Sequence, residues 1–213
     1  MHWAARNGHL HVCRWLADEC GLDVDHPTAD GTTAFHWAVW QGHMEVCRWA
    51  TTAAFLLQRS ASKVDAGSVE CCTGCARCEH EQRERGGCGR RWLVEEAGAD
   101  FRSLNRYGCN AGQWAAQTDD VAMCAWLRRV GLDLKLLNHN GHSCLHKAAV
   151  KGRRRVCEWL VAEGDLRAEH MRPDQDGNTP AQMARLEGHT QLADWLELAA
   201  ASSPSTGASG RRP

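Results

Sequence analysis

Cysteine is the residue type in this 213-residue chain best placed to do chemistry, because twelve are present. Five of them fall in one short stretch, at positions 71, 72, 75, 78 and 88. The spacing Cys72-x-x-Cys75-x-x-Cys78 lets thiolates converge on one tetrahedral ion, so the candidate zinc ligands are Cys72, Cys75, Cys78 and Cys88. The stretch lacks a second Cys-x-x-Cys pair and apolar residues to pack around an ion. We therefore expect no bound metal and no cofactor.

Four other cysteines, Cys13, Cys47, Cys124 and Cys157, each follow a Val or a Met. A buried free thiol behaves as a small apolar side chain. We interpret these four as core residues of a protein in a reducing compartment.

Histidine is the second candidate for chemistry. His2 and His36 lie 34 residues apart, and recurrence at a fixed period favours a structural role over a catalytic one. A denser group is formed by His139, His142, Cys144 and His146. Zinc binding is an alternative there, but His146 holds the same repeated position as His36.

The elements that must position these side chains come from a repeat. Gly8 and Gly42 are 34 residues apart, and Gly108 and Gly141 are 33 apart. Within one copy, residues 30–49, Asp-Gly favours a tight turn, Thr33 can cap a helix, and Gly42 ends it. A second helix with one apolar face follows. The plan is turn, helix, glycine, helix.

The segment Thr-Ala-Phe-His-Trp-Ala at 33–38 recurs as Ser-Cys-Leu-His-Lys-Ala at 143–148 and Thr-Pro-Ala-Gln-Met-Ala at 179–184. The copy that belongs to the third unit, at 110–115, departs further from this pattern and has Gln113 in place of His. The pattern resembles the signature of the ankyrin repeat family. The resemblance implies an all-α solenoid of helix pairs joined by short hairpin turns. We expect about five units, the first incomplete and the second interrupted.

The interruption is read from the spacing of Gly31 and Gly108, which is 77 residues where 34 fits the surrounding period. Removing residues 50–92 restores the repeat, so this segment is either an unremoved intron or a recent insertion. Its composition predicts disorder for most of it. The predicted organisation is 1–49 and 93–200 for repeats, 50–92 for the cysteine-rich insertion and 201–213 for a disordered tail. Because unit one begins in mid-repeat, we also expect coding sequence upstream of Met1.

Tryptophan recurs at two positions of the repeat. One set is expected to pack between second helices: Trp15, Trp49 or Trp92, Trp126, Trp159 and Trp195. The other set is expected on the core side of the first helices: Trp3, Trp37 and Trp114. Trp40 falls outside both, at a variable, outward position, and an exposed aromatic residue is a candidate binding anchor.

In the family, hairpin tips and first helices form an elongated concave surface that binds other proteins. The resemblance therefore implies these partner-binding candidates: Trp40, Gln41, Tyr107, Gln117, Asn140, Lys151 and Gln175. A basic run at Lys147, Lys151 and 153–155 would suit an acidic partner or a phosphate, but we interpret it as solvated surface.

The net charge of −1 gives no indication of nucleic acid binding, and no apolar run is long enough to span a membrane. No phosphate loop, nucleophile elbow or metalloprotease motif is present. We expect a monomeric, non-catalytic module, cytoplasmic or nuclear, that binds an unidentified protein. Two alternatives stay open. One is a metal- or redox-responsive protein that uses the insertion, and the other is a repeat appendage of a longer enzyme.

Overall fold

The computed structural model describes residues 1–51, 99–166 and 168–202. Most of the segment predicted as an insertion lies outside these ranges, together with the candidate ligands Cys72, Cys75, Cys78 and Cys88. Most of the predicted tail also lies outside them.

All regular elements in the described ranges are helical. They are α1 (His2–Arg6), α2 (Leu10–Asp18), α3 (Ala34–Trp40), α4 (44–51, as far as it is described), α5 (Ala111–Ala115), α6 (Val121–Arg129), α7 (Cys144–Val150), α8 (Arg154–Ala162), a 3-10 helix (Ala168–Met171), α9 (Pro180–Leu186) and α10 (Thr190–Ser202). Consecutive pairs form five units, each with a first and a second helix. The first helices α1, α3, α5, α7 and α9 pack on one another in chain order. The prediction of an ankyrin-type helical solenoid is confirmed.

Polar residues fix where the first helices begin. In unit two the Thr33 N–H donates to Nδ1 of His36 at 3.3 Å, and in unit four the Ser143 N–H donates to Nδ1 of His146 at 3.1 Å. Both arrangements are capping boxes, in which the residue at N3 reaches back to the N-cap backbone. Because Nδ1 accepts a hydrogen bond, the neutral ring carries its proton on Nε2.

Neighbouring units are joined at their hairpin tips. One backbone N–H in each tip donates to a carbonyl in the tip of the preceding unit, at 2.8 to 3.0 Å. These bonds are Arg106 to Asp30, His139 to Tyr107, and Gln175 to Asn140. They set the spacing between units.

Neighbouring units are also linked by a buried side chain at the repeat position that His36 and His146 occupy. Gln113 Nε2 donates to the carbonyls of Leu136 and His142, at 2.9 and 3.0 Å, and so holds the hairpin of the next unit. His36 and His146 occupy the same position in units two and four and are almost completely buried. Burial lowers the pKa of each ring to about 4, although nearby backbone carbonyls oppose the shift.

Units two and three are direct neighbours, although residues 52–98 separate them in sequence. The Ala99 N–H donates to the Ala50 carbonyl at 2.9 Å, and the Phe35 and Phe101 rings meet edge to face at 6.4 Å. Ala50, which the sequence assigned to the insertion, is helical and buried. In the described part of the chain, no helix is both long and apolar enough to cross a membrane.

A first prediction concerns Gly152 and Gly188, which follow the first helices of units four and five at φ +65° and +83°. A Cβ on Gly152 would lie 2.6 Å from the His189 ring, whereas nothing lies within 4 Å of one on Gly188. Gly188→Ala should lower the unfolding free energy by about 1 kcal/mol through backbone strain alone. Gly152→Ala should lower it by roughly 1 kcal/mol more, because the ring must move. Urea denaturation measures both losses.

Adding His189→Ala to each variant should remove the difference between them. Equal losses in the two single variants would show that the contact between units four and five contributes nothing there.

A second prediction concerns pH. Because the folded-state pKa of His36 and His146, about 4, lies below the ordinary 6.5, the unfolded chain binds more protons than the folded chain. The stability that these rings contribute is complete above pH 6.5 and is lost as pH falls towards 4. Between pH 7 and 5 we expect each ring to account for about 2 kcal/mol of lost unfolding free energy. Chemical denaturation at several pH values measures this slope.

Replacing the rings by Gln, the residue that unit three already uses at this position, should flatten the slope while keeping the fold at pH 7. His11→Gln, at an exposed ring, is the matched control and should leave the slope as it is. An unchanged slope in the double variant His36→Gln/His146→Gln would refute the assignment.

Candidate protein-binding surface

Four tryptophans gather on three neighbouring first helices. Trp3 lies on α1, Trp37 and Trp40 on α3, and Trp114 on α5. The ring centroids of Trp37 and Trp40 are 5.5 Å apart, and Trp114 lies 6.0 and 5.8 Å from them. These separations are those of interacting aromatic pairs, with rings tilted at 48° to 72°. We call these four residues the tryptophan cluster.

Arg6 lies within this cluster. Its guanidinium carbon is 5.1 Å from the centroids of Trp3 and Trp37 and 5.8 Å from that of Trp40. Such cation–π contacts contribute roughly 0.5 to 1 kcal/mol each at exposed sites. The backbone of Arg6 is also held, because Nε2 of His43 lies 2.8 Å from its carbonyl oxygen. The guanidinium makes no hydrogen bond or ion pair with any described residue.

The structure corrects two expectations about these rings. Trp3, Trp37 and Trp114 were expected on the core side of the first helices. Trp114 is half-buried and does pack against the core, but Trp3 is 72% exposed and Trp37 is half-buried outside the core cluster. Small residues occupy the core side instead, for example Ala4 and Ala5 in unit one, and they allow the helices to approach closely. Trp40 was expected to stand alone and exposed, but it is half-buried against Trp37 and Trp114.

The other partner-binding candidates lie at the surface or partly buried. Gln41, Tyr107, Asn140, Lys151 and Gln175 are exposed, whereas Gln117 is half-buried. Gln175 Nε2 donates to the His139 carbonyl at 2.6 Å, so this side chain helps to join two hairpin tips. The Gln117 carbonyl accepts from Arg153 Nε at 3.0 Å, which links units three and four. Contact of these residues with a partner stays a prediction.

The basic run of unit four divides into two groups. The arginines are engaged: Arg154 pairs with Glu158 at 2.7 Å, and Arg155 lies 3.7 Å from Asp119. Lys147 and Lys151, on α7 and directly after it, form no ion pair within the described ranges. The free positive charge of unit four therefore lies with the first helix.

The four repeated cysteines are core residues, as predicted. Cys13, Cys47, Cys124 and Cys157 are buried, and all seven cysteines in the described ranges are free thiols. Burial raises the pKa of all four, to about 12 at Cys124 and Cys157. A thiol with a raised pKa is protonated at neutral pH and is a poor nucleophile or metal ligand. The reducing compartment stays a prediction.

The candidate zinc ligands of unit four are engaged in other contacts. His142 Nε2 lies 2.9 Å from a carboxylate oxygen of Asp174, His146 caps α7, and Cys144 is buried. No group of three or more metal-ligating side chains comes together among residues 1–51, 99–166 and 168–202.

The cysteines give a third prediction. Brief treatment of the native protein with iodoacetamide at pH 7.5 should alkylate exposed Cys20, whereas Cys47, Cys124 and Cys157 should react only after unfolding. Peptide mass mapping measures alkylation at each position. Labelling of Cys124 as fast as that of Cys20 in native protein would contradict the packing of the second helices.

Comparison with known proteins gives matches over most of the chain. A model described as "Ankyrin repeats (many copies)" matches residues 1–51, and one described as "Ankyrin repeats (3 copies)" matches 88–170 and 113–202. A mouse protein named fem-1 homolog A-like is 28% identical over 196 residues, which are 91% of this chain and 29% of the relative.

A rat protein named diacylglycerol kinase zeta is 42% identical over 64 residues, which are 30% of this chain and 7% of the kinase. The chain thus corresponds to less than a third of the length of either relative. The matched repeat models cover most of the sequence and coincide with the stacked helix pairs of the structure. The chain belongs to the ankyrin repeat family.

Proposed function

We propose that this chain is a non-catalytic protein-interaction module that binds a partner protein on the concave surface formed by its first helices and hairpin tips. Ankyrin repeats generally serve as protein-interaction modules, which supports the class of function. The tryptophan cluster is the observation that supports the location of the binding site. Trp and Arg dominate the energetic centres of protein interfaces, and both are present in the cluster.

Packing alone is the competing explanation of the cluster, and the exposure of Trp3 favours binding. The Trp3 side chain is 72% exposed, so its ring adds little to the core.

Among the described residues, the histidines and cysteines that recur with the repeat have structural roles. His36 and His146 are buried and cap helices through Nδ1, and the repeated cysteines are buried with raised pKa values. These features support a non-catalytic role for the repeats.

Trp40→Ala tests the location of the site. We expect at least tenfold weaker capture of a partner, a loss of about 1.4 kcal/mol or more in binding free energy, because Trp40 contacts two other rings of the cluster. The partner is first isolated on the immobilised 213-residue chain, and binding of the purified partner is then measured by surface plasmon resonance.

Trp15→Ala is the matched control, since Trp15 is 57% exposed on the second helix α2, outside the cluster. It should leave binding unchanged. Circular dichroism melts of both variants define a temperature at which each is folded. Equal binding by wild type and Trp40→Ala at that temperature would show that the cluster is not part of the binding site.

A second candidate is that these repeats form an appendage of a longer enzyme. The 64 residues shared with a protein named as a kinase favour it. Sequencing of full-length transcripts tests this candidate. An open reading frame that joins these repeats to a kinase domain would support it, and a frame without any enzyme domain would exclude it.

A further inference from the structure

We infer that the partner segment is an acidic peptide that also carries apolar side chains. This inference rests on the proposed function, because it describes the occupant of the same concave surface. It follows from the charges on the first helices, from the state of Arg6 and from the position of the two unpaired lysines.

The first helices carry no negative charge. The sequences of α1, α3, α5, α7 and α9 contain no Asp or Glu, although the whole chain has 26 acidic and 25 basic side chains. The charged residues on these helices or directly after them are the cations Arg6, Lys147, Lys151 and Arg185 and one anion, Glu187, which follows α9 in unit five. Arg185 is paired with Asp194 and Glu197, at 2.8 and 2.9 Å. The other three cations have no acidic partner within the described ranges, so the part of the row from α1 to α7 is complementary to carboxylates.

The guanidinium of Arg6 is held in a position that favours binding of a carboxylate. Its guanidinium is held over the rings of Trp3, Trp37 and Trp40, and none of its N–H groups donates to a described residue. A guanidinium can bind a carboxylate through two parallel hydrogen bonds, and rings that fix its plane reduce the entropy lost on binding. An apolar side chain next to that carboxylate would contact the tryptophan rings.

Lys147 and Lys151 lie three units further along the row, on or next to α7. Adjacent packed helices are 8 to 10 Å apart, so the distance from α1 to α7 is about 24 to 30 Å. An extended chain advances about 3.3 Å per residue. A segment of roughly eight residues therefore spans from Arg6 to the lysines, with one acidic residue near each end and apolar residues near the first.

A single-stranded nucleic acid also combines negative charge with groups that stack, but the cluster does not suit it. Bases stack on exposed ring faces that follow one another along a groove. Here the rings are tilted against one another by 48° to 72°, and Trp40 and Trp114 meet edge to face, so the rings do not form a series of parallel faces. This geometry favours a peptide with carboxylates over a chain of bases.

Selection from a library of random 12-residue peptides on phage, with the full 213-residue chain immobilised, tests the inference. We expect enriched peptides to carry Asp or Glu six to ten residues apart, with Trp, Phe or Leu next to one of them. Fluorescence anisotropy with the synthetic peptide should show binding at least tenfold weaker for Arg6→Gln and for Lys147→Gln/Lys151→Gln. The double variant Arg128→Gln/Arg129→Gln removes two exposed charges of the second helix α6 and should bind as wild type does.

The outcomes separate this inference from the proposed function. Enriched peptides without acidic residues that lose binding in Trp40→Ala would overturn the inference and leave the concave site standing. Peptides that bind wild type and Trp40→Ala equally would count against both. Selection of no peptide would overturn the inference of a linear segment, and the capture experiment would still decide the proposed function. Binding of a 12-residue oligothymidine that is lost in Arg6→Gln would overturn the inference in favour of nucleic acid.

Discussion

The hydrogen bonds that join each unit to the next are the constraint on which the rest of the structure depends. A helix pair of this size cannot bury its apolar face alone, so each unit is completed by its neighbours. The tip bonds from Arg106, His139 and Gln175 fix the spacing. The side chain of Gln113 holds the following hairpin from inside. The same links join units two and three, which are neighbours in space although residues 52–98 lie between them in the chain.

This spacing decides which side chains are left for function. Stacking places the repeated histidines and cysteines inside, where burial keeps the rings and the thiols neutral. It also brings α1, α3 and α5 side by side, so that tryptophans from three units become one cluster around Arg6. Binding side chains that are far apart in sequence thus meet because the units repeat at a fixed distance.

Sequence reasoning predicted the repeat, the caps at Thr33 and the burial of the cysteines, because each follows from a pattern repeated in register. It misplaced Trp3 and Trp37, because a helix of five to seven residues is too short for apolar periodicity to show which side faces the core. The signal that could have placed them is the buried alanine that recurs at one position of every first helix, since only small side chains fit between closely packed helices; these alanines are Ala4, Ala38, Ala115, Ala148 and Ala184. Arg6 was missed because its role depends on rings from two units.

Native-state hydrogen exchange at the amides of Arg106, His139 and Gln175 tests the account most directly. All three residues are exposed and lie at hairpin tips, so the bond to the preceding tip is what should protect their amides. We expect exchange at least about a hundredfold slower than in an unfolded chain, with protection lost together with that of the first helices. Exchange of all three at the unfolded rate, while the helices stay protected, would show that the units are not joined in this way.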